Sequence, residues 1–176
     1  DWPITEENRA HFSGFGGKAG GGGQVSTNVT AAHRETWRAV FSQRIPGGPT
    51  ERGFDEYFGT DVPNWPPYCF IENDRTVGIP SELLPAGKLV KNQASLQGPA
   101  LPGWKLERIL PALAERAVNF IGQQAAAKRP FLLYLPLTSP HTPLAVNAAG
   151  PPVTVPFDQV NNPVTSIALV PPNVGV

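Results

Sequence analysis

Three apolar patterns of different period organise this chain. Phe131 to Leu135 is an unbroken apolar run, preceded by Pro130 and closed by Pro136. It is too short for a helix and lacks the alternation of a half-exposed strand. It predicts a strand buried on both faces, as in a parallel sheet covered by helices. Between Trp104 and Lys128, Leu106, Ile109, Leu110, Leu113, Ala117, Val118 and Ile121 recur at helical spacing, with Glu107, Arg108, Glu115, Arg116, Gln123 and Gln124 mostly opposite. Pro111 is tolerated only near a helix start, so the regular part is predicted from about residue 110 to 112 onward. Lys128 suits the C-terminal end of the helix dipole. A shorter helix is predicted over 33–43, with Trp37, Val40 and Phe41 on one side, ended by Ile45-Pro-Gly-Gly-Pro49. A helix, a short connection and a buried strand form half of a βαβ unit.

The remaining stretches are less regular. In Gly53 to Gly59 aromatic and charged residues alternate between two glycines, the pattern of a packed turn. Prolines argue against a helix in 61–75, where Cys69-Phe-Ile71 is the best short strand and Glu72-Asn-Asp-Arg75 a polar turn. Residues 76–103 repeat Pro and Gly and predict a long irregular excursion. Phe12 to Gly23 is low in complexity and reads as flexible. After Asn147 a Pro, Val and Asn mixture holds no period of 3.6, with one weak strand at Thr165 to Val170.

Composition narrows the picture. The 176 residues leave room for one domain or part of a larger one. Lys and Arg balance Asp and Glu at 14 each, so no net field draws the chain to nucleic acid or to an anionic membrane. Nowhere do 18 apolar residues run together, so no membrane span is expected. The first residues, Asp1-Trp-Pro-Ile-Thr-Glu-Glu7, have neither a basic nor an apolar leader region, so no signal peptide is expected. The lack of any methionine suggests a fragment or a processed chain. The single cysteine, Cys69, excludes an internal disulfide and a cysteine-rich metal site.

Candidate chemistry is sparse. Gly14-x-Gly16-x-x-Ala19 matches a loose dinucleotide fingerprint, but no strand precedes it and no acidic partner follows at the needed distance, so it carries no cofactor assignment. Asn28-Val-Thr30 is a formal glycosylation sequon. The strongest candidate is His141. In Thr138-Ser-Pro-His-Thr-Pro143 two prolines hold the backbone around one imidazole, just past the carboxyl end of the predicted strand, where open α/β sheets bind ligands. The plainer alternative is a loop histidine that hydrogen-bonds a carbonyl.

Several of these stretches together resemble the central part of a sulfatase, especially a bacterial arylsulfatase of the arylsulfatase A type. They are Ile45-Pro-Gly-Gly-Pro-Thr50, Arg52-Gly-Phe-Asp-Glu-Tyr-Phe-Gly59, Pro66-Pro-Tyr-Cys-Phe-Ile-Glu-Asn-Asp-Arg75, Gly103-Trp-Lys-Leu106 and Pro130 to Leu144. The resemblance spans residues 44–147. It implies an α/β fold, a partial alkaline phosphatase-like sandwich with a mostly parallel central sheet, long loops and irregular termini. It also implies hydrolysis of sulfate esters, small-molecule or glycan, by a formylglycine made from Cys-x-Pro-x-Arg, with calcium held by Asp and Asn. By the same resemblance His141 is the histidine that contacts the sulfate ester, both binding it and acting in catalysis. A periplasmic or secreted parent is implied as well.

The departures are equally specific. Cys69 lies in Tyr-Cys-Phe-Ile-Glu, so it is not the formylglycine precursor and reads as a small buried hydrophobe. The Gly-Lys-Trp-His-Leu-Gly signature is replaced by His33-Arg-Glu-Thr-Trp-Arg-Ala-Val40, and neither His33 nor Lys18 takes its roles. The family's metal ligands have no matching motif, and no metal-binding residue is assigned. The chain thus divides into a Gly-rich, poorly patterned segment 1–43, a partial sulfatase-like domain 44–147 and an irregular Pro/Val-rich tail 148–176, the pattern of a truncated or frame-shifted coding region. Such a chain is expected to be inactive alone. The competing readings are a non-catalytic module for sulfated ligands, resting on His141 with nearby Lys128 and Arg129, and a degenerate fragment without function.

Overall fold

A computed structural model describes residues 2–13, 27–89 and 96–138. Helix α1 is a single turn, Ala10–Ser13, and α2 is Ala31–Phe41. Short strands follow: β1 (Phe58–Gly59), β2 (Ile71–Glu72), β3 (Arg75–Thr76), β4 (Glu82–Leu84) and β5 (Gly98–Ala100), before the long helix α3, Ile109–Ala126. The strands make two small antiparallel sheets, ordered β1-β2-β3 and β4-β5. The fold is therefore mixed helix and strand. A parallel central sheet is absent among the described residues, whose parallel contact is the isolated bridge between Tyr68 and Ala100.

Helix α2 begins where Thr30 caps it. The Thr30 hydroxyl accepts from His33 N at 3.4 Å, and His33 Nδ1 accepts from Thr30 N at 3.1 Å, a reciprocal capping box with histidine in the place usually held by Glu or Gln. Trp37, Val40 and Phe41 recur at i, i+3 and i+4 and are all buried, as their spacing predicts. Trp2, Ile4, Phe12, Val29, Ile79 and Leu83 pack on them, so this cluster joins the N-terminal segment to β4.

Helix α3 starts through a 3-10 turn at Leu106–Arg108, which places Pro111 in its first turn, where no backbone donor is needed. Leu106 of the 3-10 turn and Ile109 and Leu113 of the helix pack against Tyr68, Leu84, Leu89 and Ala100, and Ala117 continues the buried stripe. Val118, predicted to share that stripe, is 66% exposed, and Leu110 also faces outward. The helix ends in a Schellman turn. Lys128 takes a left-handed φ of 51°, its N–H donates to Ala125 O, and Arg129 N–H donates to Gln124 O. Pro130 then forbids continuation.

The run after α3 departs from expectation. Residues 131–138 form no strand, and Leu132 and Tyr134 are 81% and 68% exposed. Phe131 meets Phe120 edge-on with centroids 5.4 Å apart. A central strand takes hydrogen bonds from both sides, and the described residues supply no strand beside this one, so apolar composition alone does not make it a strand. The expected excursion at 76–103 instead contains the β4-β5 pair, with Leu83 opposite Pro99. Gly-Pro-Ala carries no strand signature, and tertiary packing selects it. The Gly-rich stretch beyond Ser13 and the expected weak strand at Thr165 to Val170 lie outside the described residues.

Gly98 shows how close that packing is. A Cβ there would stand 2.5 Å from Pro66 Cγ, and Tyr68 N–H reaches Pro99 O at 2.9 Å alongside. Gly98→Ala must push the Pro66 ring and lower stability by about 1–3 kcal/mol, the range typical of overpacking, measured by chemical denaturation against wild type. An unchanged midpoint would show that the loop yields freely.

Candidate functional site

Three of the five stretches that carry the resemblance, 45–50, 52–59 and 66–75, are brought together around one hairpin turn. Strands β2 and β3 pair with Glu72 opposite Arg75, leaving Asn73 and Asp74 as the turn. Asn73 has φ 55°, a conformation that Asn tolerates better than most residues. Its backbone N–H donates to Tyr57 O at 2.8 Å, and its side-chain Oδ1 accepts from Tyr57 N at 3.0 Å. The aromatic turn at 53–59 is thereby fastened to the hairpin.

The same turn holds the Pro-Gly loop. Ile45 N donates to Asp74 O at 2.8 Å. The Arg44 guanidinium hydrogen-bonds the Asp74 carboxylate and meets Glu51 Oε1 at 2.7 Å. Gly47 N donates to Glu51 Oε2 at 2.8 Å, and Arg52 Nε donates to Gly47 O at 3.0 Å. The hydrogen bond from Arg44 holds the Asp74 carboxyl below the usual carboxylate range. From the other side of the hairpin, Thr76 Oγ1 donates to Phe41 O at 2.9 Å and Arg75 to Ser42 O at 3.3 Å, which seats the end of α2.

A second charged group ties the hairpin to α3. Arg116 Nη2 lies 2.6 Å from Glu72 Oε1 and 3.8 Å from Glu56 Oε2, with its guanidinium 5.4 Å from the Phe58 ring centre. These side chains are about half exposed, so each pair contributes only some tenths of a kcal/mol to about 1 kcal/mol. Carboxylates facing guanidiniums fix positions; they do not present a poised acid or nucleophile.

Of the residues marked out from sequence, His141 lies outside the described residues, which end before it at Thr138. Lys128 and Arg129 close the α3 terminus, and His33 is absorbed in the α2 cap. Cys69 is 1% exposed, and its sulfur lies 4.0 Å from Pro67 O. Burial, with Asp61 adding to it, pushes its thiol up to about 12, so it stays protonated and unreactive near neutrality. Its reading as a small buried hydrophobe holds. Among the described residues no three His, Cys, Asp or Glu side chains converge as a metal site would require, so no chemical step is derived through a metal. No described helix is long and apolar enough to cross a membrane. The sequence marks 72–75 as a polar turn, but nothing local in it distinguishes Tyr57 and Asn73 as the residues that fasten it.

Comparison with known proteins supplies a relationship. The chain is 36% identical to arylsulfatase G of mouse (Mus musculus) over 126 residues, covering 63% of this chain and 23% of that protein. It is 35% identical to arylsulfatase G of rat (Rattus norvegicus) over 132 residues, with the same coverage. The chain thus spans about a quarter of the length of these relatives. No family model matches it, and no solved structure does.

Two outcomes follow from the turn and the thiol. Asn73→Ala loses a side-chain hydrogen bond and strains a positive φ, and should cost about 2 kcal/mol; Asn73→Gly, which keeps the conformation, should cost less. Equal losses in denaturant melts would contradict this account of the turn. Cys69 should resist a disulfide reagent at neutral to mildly alkaline pH until the chain is unfolded. Its raised folded value means that its contribution to stability is complete below the ordinary thiol value of 9.0 and is lost as pH rises toward about 12. Rapid labelling of the native chain would refute the burial.

Proposed function

We propose that this chain, related to arylsulfatases along 63% of its length, is an inner piece of a sulfuric ester hydrolase whose intact form hydrolyses aryl or glycan sulfate esters. The observation that carries the reading is the identity to arylsulfatase G, in a chain where three of the resembling stretches, 45–50, 52–59 and 66–75, pack against one hairpin. His141 is the proposed contact to the sulfate ester. Its imidazolium would donate a proton or hydrogen bond to a sulfate oxygen or to the leaving oxygen. Calcium would serve in the intact enzyme to polarise the sulfate.

The 176 residues alone are proposed to lack turnover. Catalytic groups act as a unit, and losing the nucleophile by itself can cost about a millionfold. The single cysteine sits outside Cys-x-Pro-x-Arg and is buried as a neutral thiol, which supports this reading. In the intact protein Phe131 to Leu135 is proposed as an inner strand of a mostly parallel sheet, with 44–147 as the domain's share in this chain. The exposed Leu132 and Tyr134, and the buried Trp104 Nε1 that has no hydrogen-bond partner among the described residues, are what a piece deprived of its covering elements would show.

The test pairs this chain with its extended form. On p-nitrophenyl sulfate with added calcium, the 176-residue chain should give no turnover above blank. Extending it with the neighbouring coding sequence, in whichever frame encodes Cys-x-Pro-x-Arg, should restore hydrolysis. In that protein His141→Ala should lower kcat by roughly 10²–10⁴-fold. Turnover by the short chain overturns its inactivity, and the lack of any such motif in the flanking frames overturns the hydrolase reading.

A further inference from the structure

The segment Trp2–Phe12 lies along α2, and its polar ties converge on two imidazoles. His11 Nδ1 hydrogen-bonds Thr36 Oγ1, and the His11 carbonyl accepts from Trp37 Nε1 at 2.9 Å. The His11 ring meets the His33 ring edge-on, with centroids 5.2 Å apart. Trp2 and Phe12 press edge-on against Phe41 at 5.2 and 5.8 Å, and Trp2 Nε1 donates to Asp61 Oδ2 at 2.8 Å. His33 is thus shared by two structures, the N-cap of α2 and the contact with the segment.

We propose that the His11–His33 pair is an acid-sensitive latch, in which protonation of His33 frays the first turn of α2 and releases Trp2–Phe12 from Trp37 and Phe41. Several effects of the same sign combine. A proton on Nδ1 removes the acceptor used by Thr30 N–H, leaving at most the contact with Thr30 Oγ1 at 2.6 Å. A cation in the first turn opposes the helix dipole. A second imidazole stands within 5.2 Å.

Among the described residues, the charged side chains of α2 and of the segment are engaged elsewhere or exposed. On α2, Arg34 donates to Ser81 O at 2.7 Å, and Glu35 and Arg38 are exposed. On the segment, Glu6, Glu7 and Arg9 are exposed to screening solvent. Burial first, then His11, hold His33 below its ordinary value of 6.5. A lowered folded value means the latch is fully closed above 6.5 and opens as pH falls below it.

The test follows the full chain from about pH 7.5 to about pH 5 by histidine NMR, tryptophan fluorescence and amide exchange. His33 should titrate below 6.5, and in the same window the amides of 31–34 should lose protection and the Trp37 signal should shift. His33→Gln keeps an N3 acceptor and should abolish the transition; His11→Gln should raise the His33 midpoint. Titration of His33 at or above 6.5 in the wild type, or the same transition persisting in His33→Gln, would overturn the latch. The wild-type NMR midpoint decides even if a variant fails to fold.

Discussion

The turn at Asn73 and Asp74 is the constraint on which the described structure depends. Within two residues it fastens the aromatic turn through Tyr57, the Pro-Gly loop through Ile45 and Arg44, and, through the adjoining strand, the C-terminal end of α2. Strands of two residues bury too little apolar area and make too few ladder bonds to stand alone. Here the sheet persists because hydrogen bonds from three separate loops close on its hairpin. Asn is suited to this place because it accepts a positive φ and still offers a side-chain oxygen.

The larger core is built on the same economy. Tyr68 is fully buried, yet its hydroxyl donates to Asn64 O at 2.8 Å and approaches Leu96 O, while its backbone bridges β5 from the side opposite β4. Buried Gln97 accepts from Ala86 N at 3.2 Å. These polar contacts bind a Pro- and Gly-rich excursion that has little hydrophobic pattern of its own, and α3 covers it with Leu106, Ile109 and Leu113. Burial that keeps Tyr68 and Cys69 uncharged serves packing, not chemistry.

The apolar run after α3 stands apart from both clusters. The Schellman turn at Lys128 directs the chain back, Phe131 touches Phe120, and then Leu132 and Tyr134 face solvent. An exposed apolar face of this kind is the sort that a covering element or a partner buries.

Local pattern alone determined α2 and α3, their buried faces around Trp37 and Leu113, the first-turn place of Pro111, the polar turn at 72–75 and the inert character of Cys69. The order of the chain's motifs resembles that of sulfatases, and flanking prolines mark His141 as a candidate by position alone. Helical stripes and turn residues act within a few neighbours, so their signal is local. Only tertiary structure decided that Gly-Pro-Ala at 98–100 is a strand, that the Asn73-Asp74 turn joins the aromatic turn to the Pro-Gly loop, and that Phe131, Leu132 and Tyr134 are exposed. Strand pairing needs a distant partner for every backbone group, and no stretch of sequence declares by itself whether that partner is present.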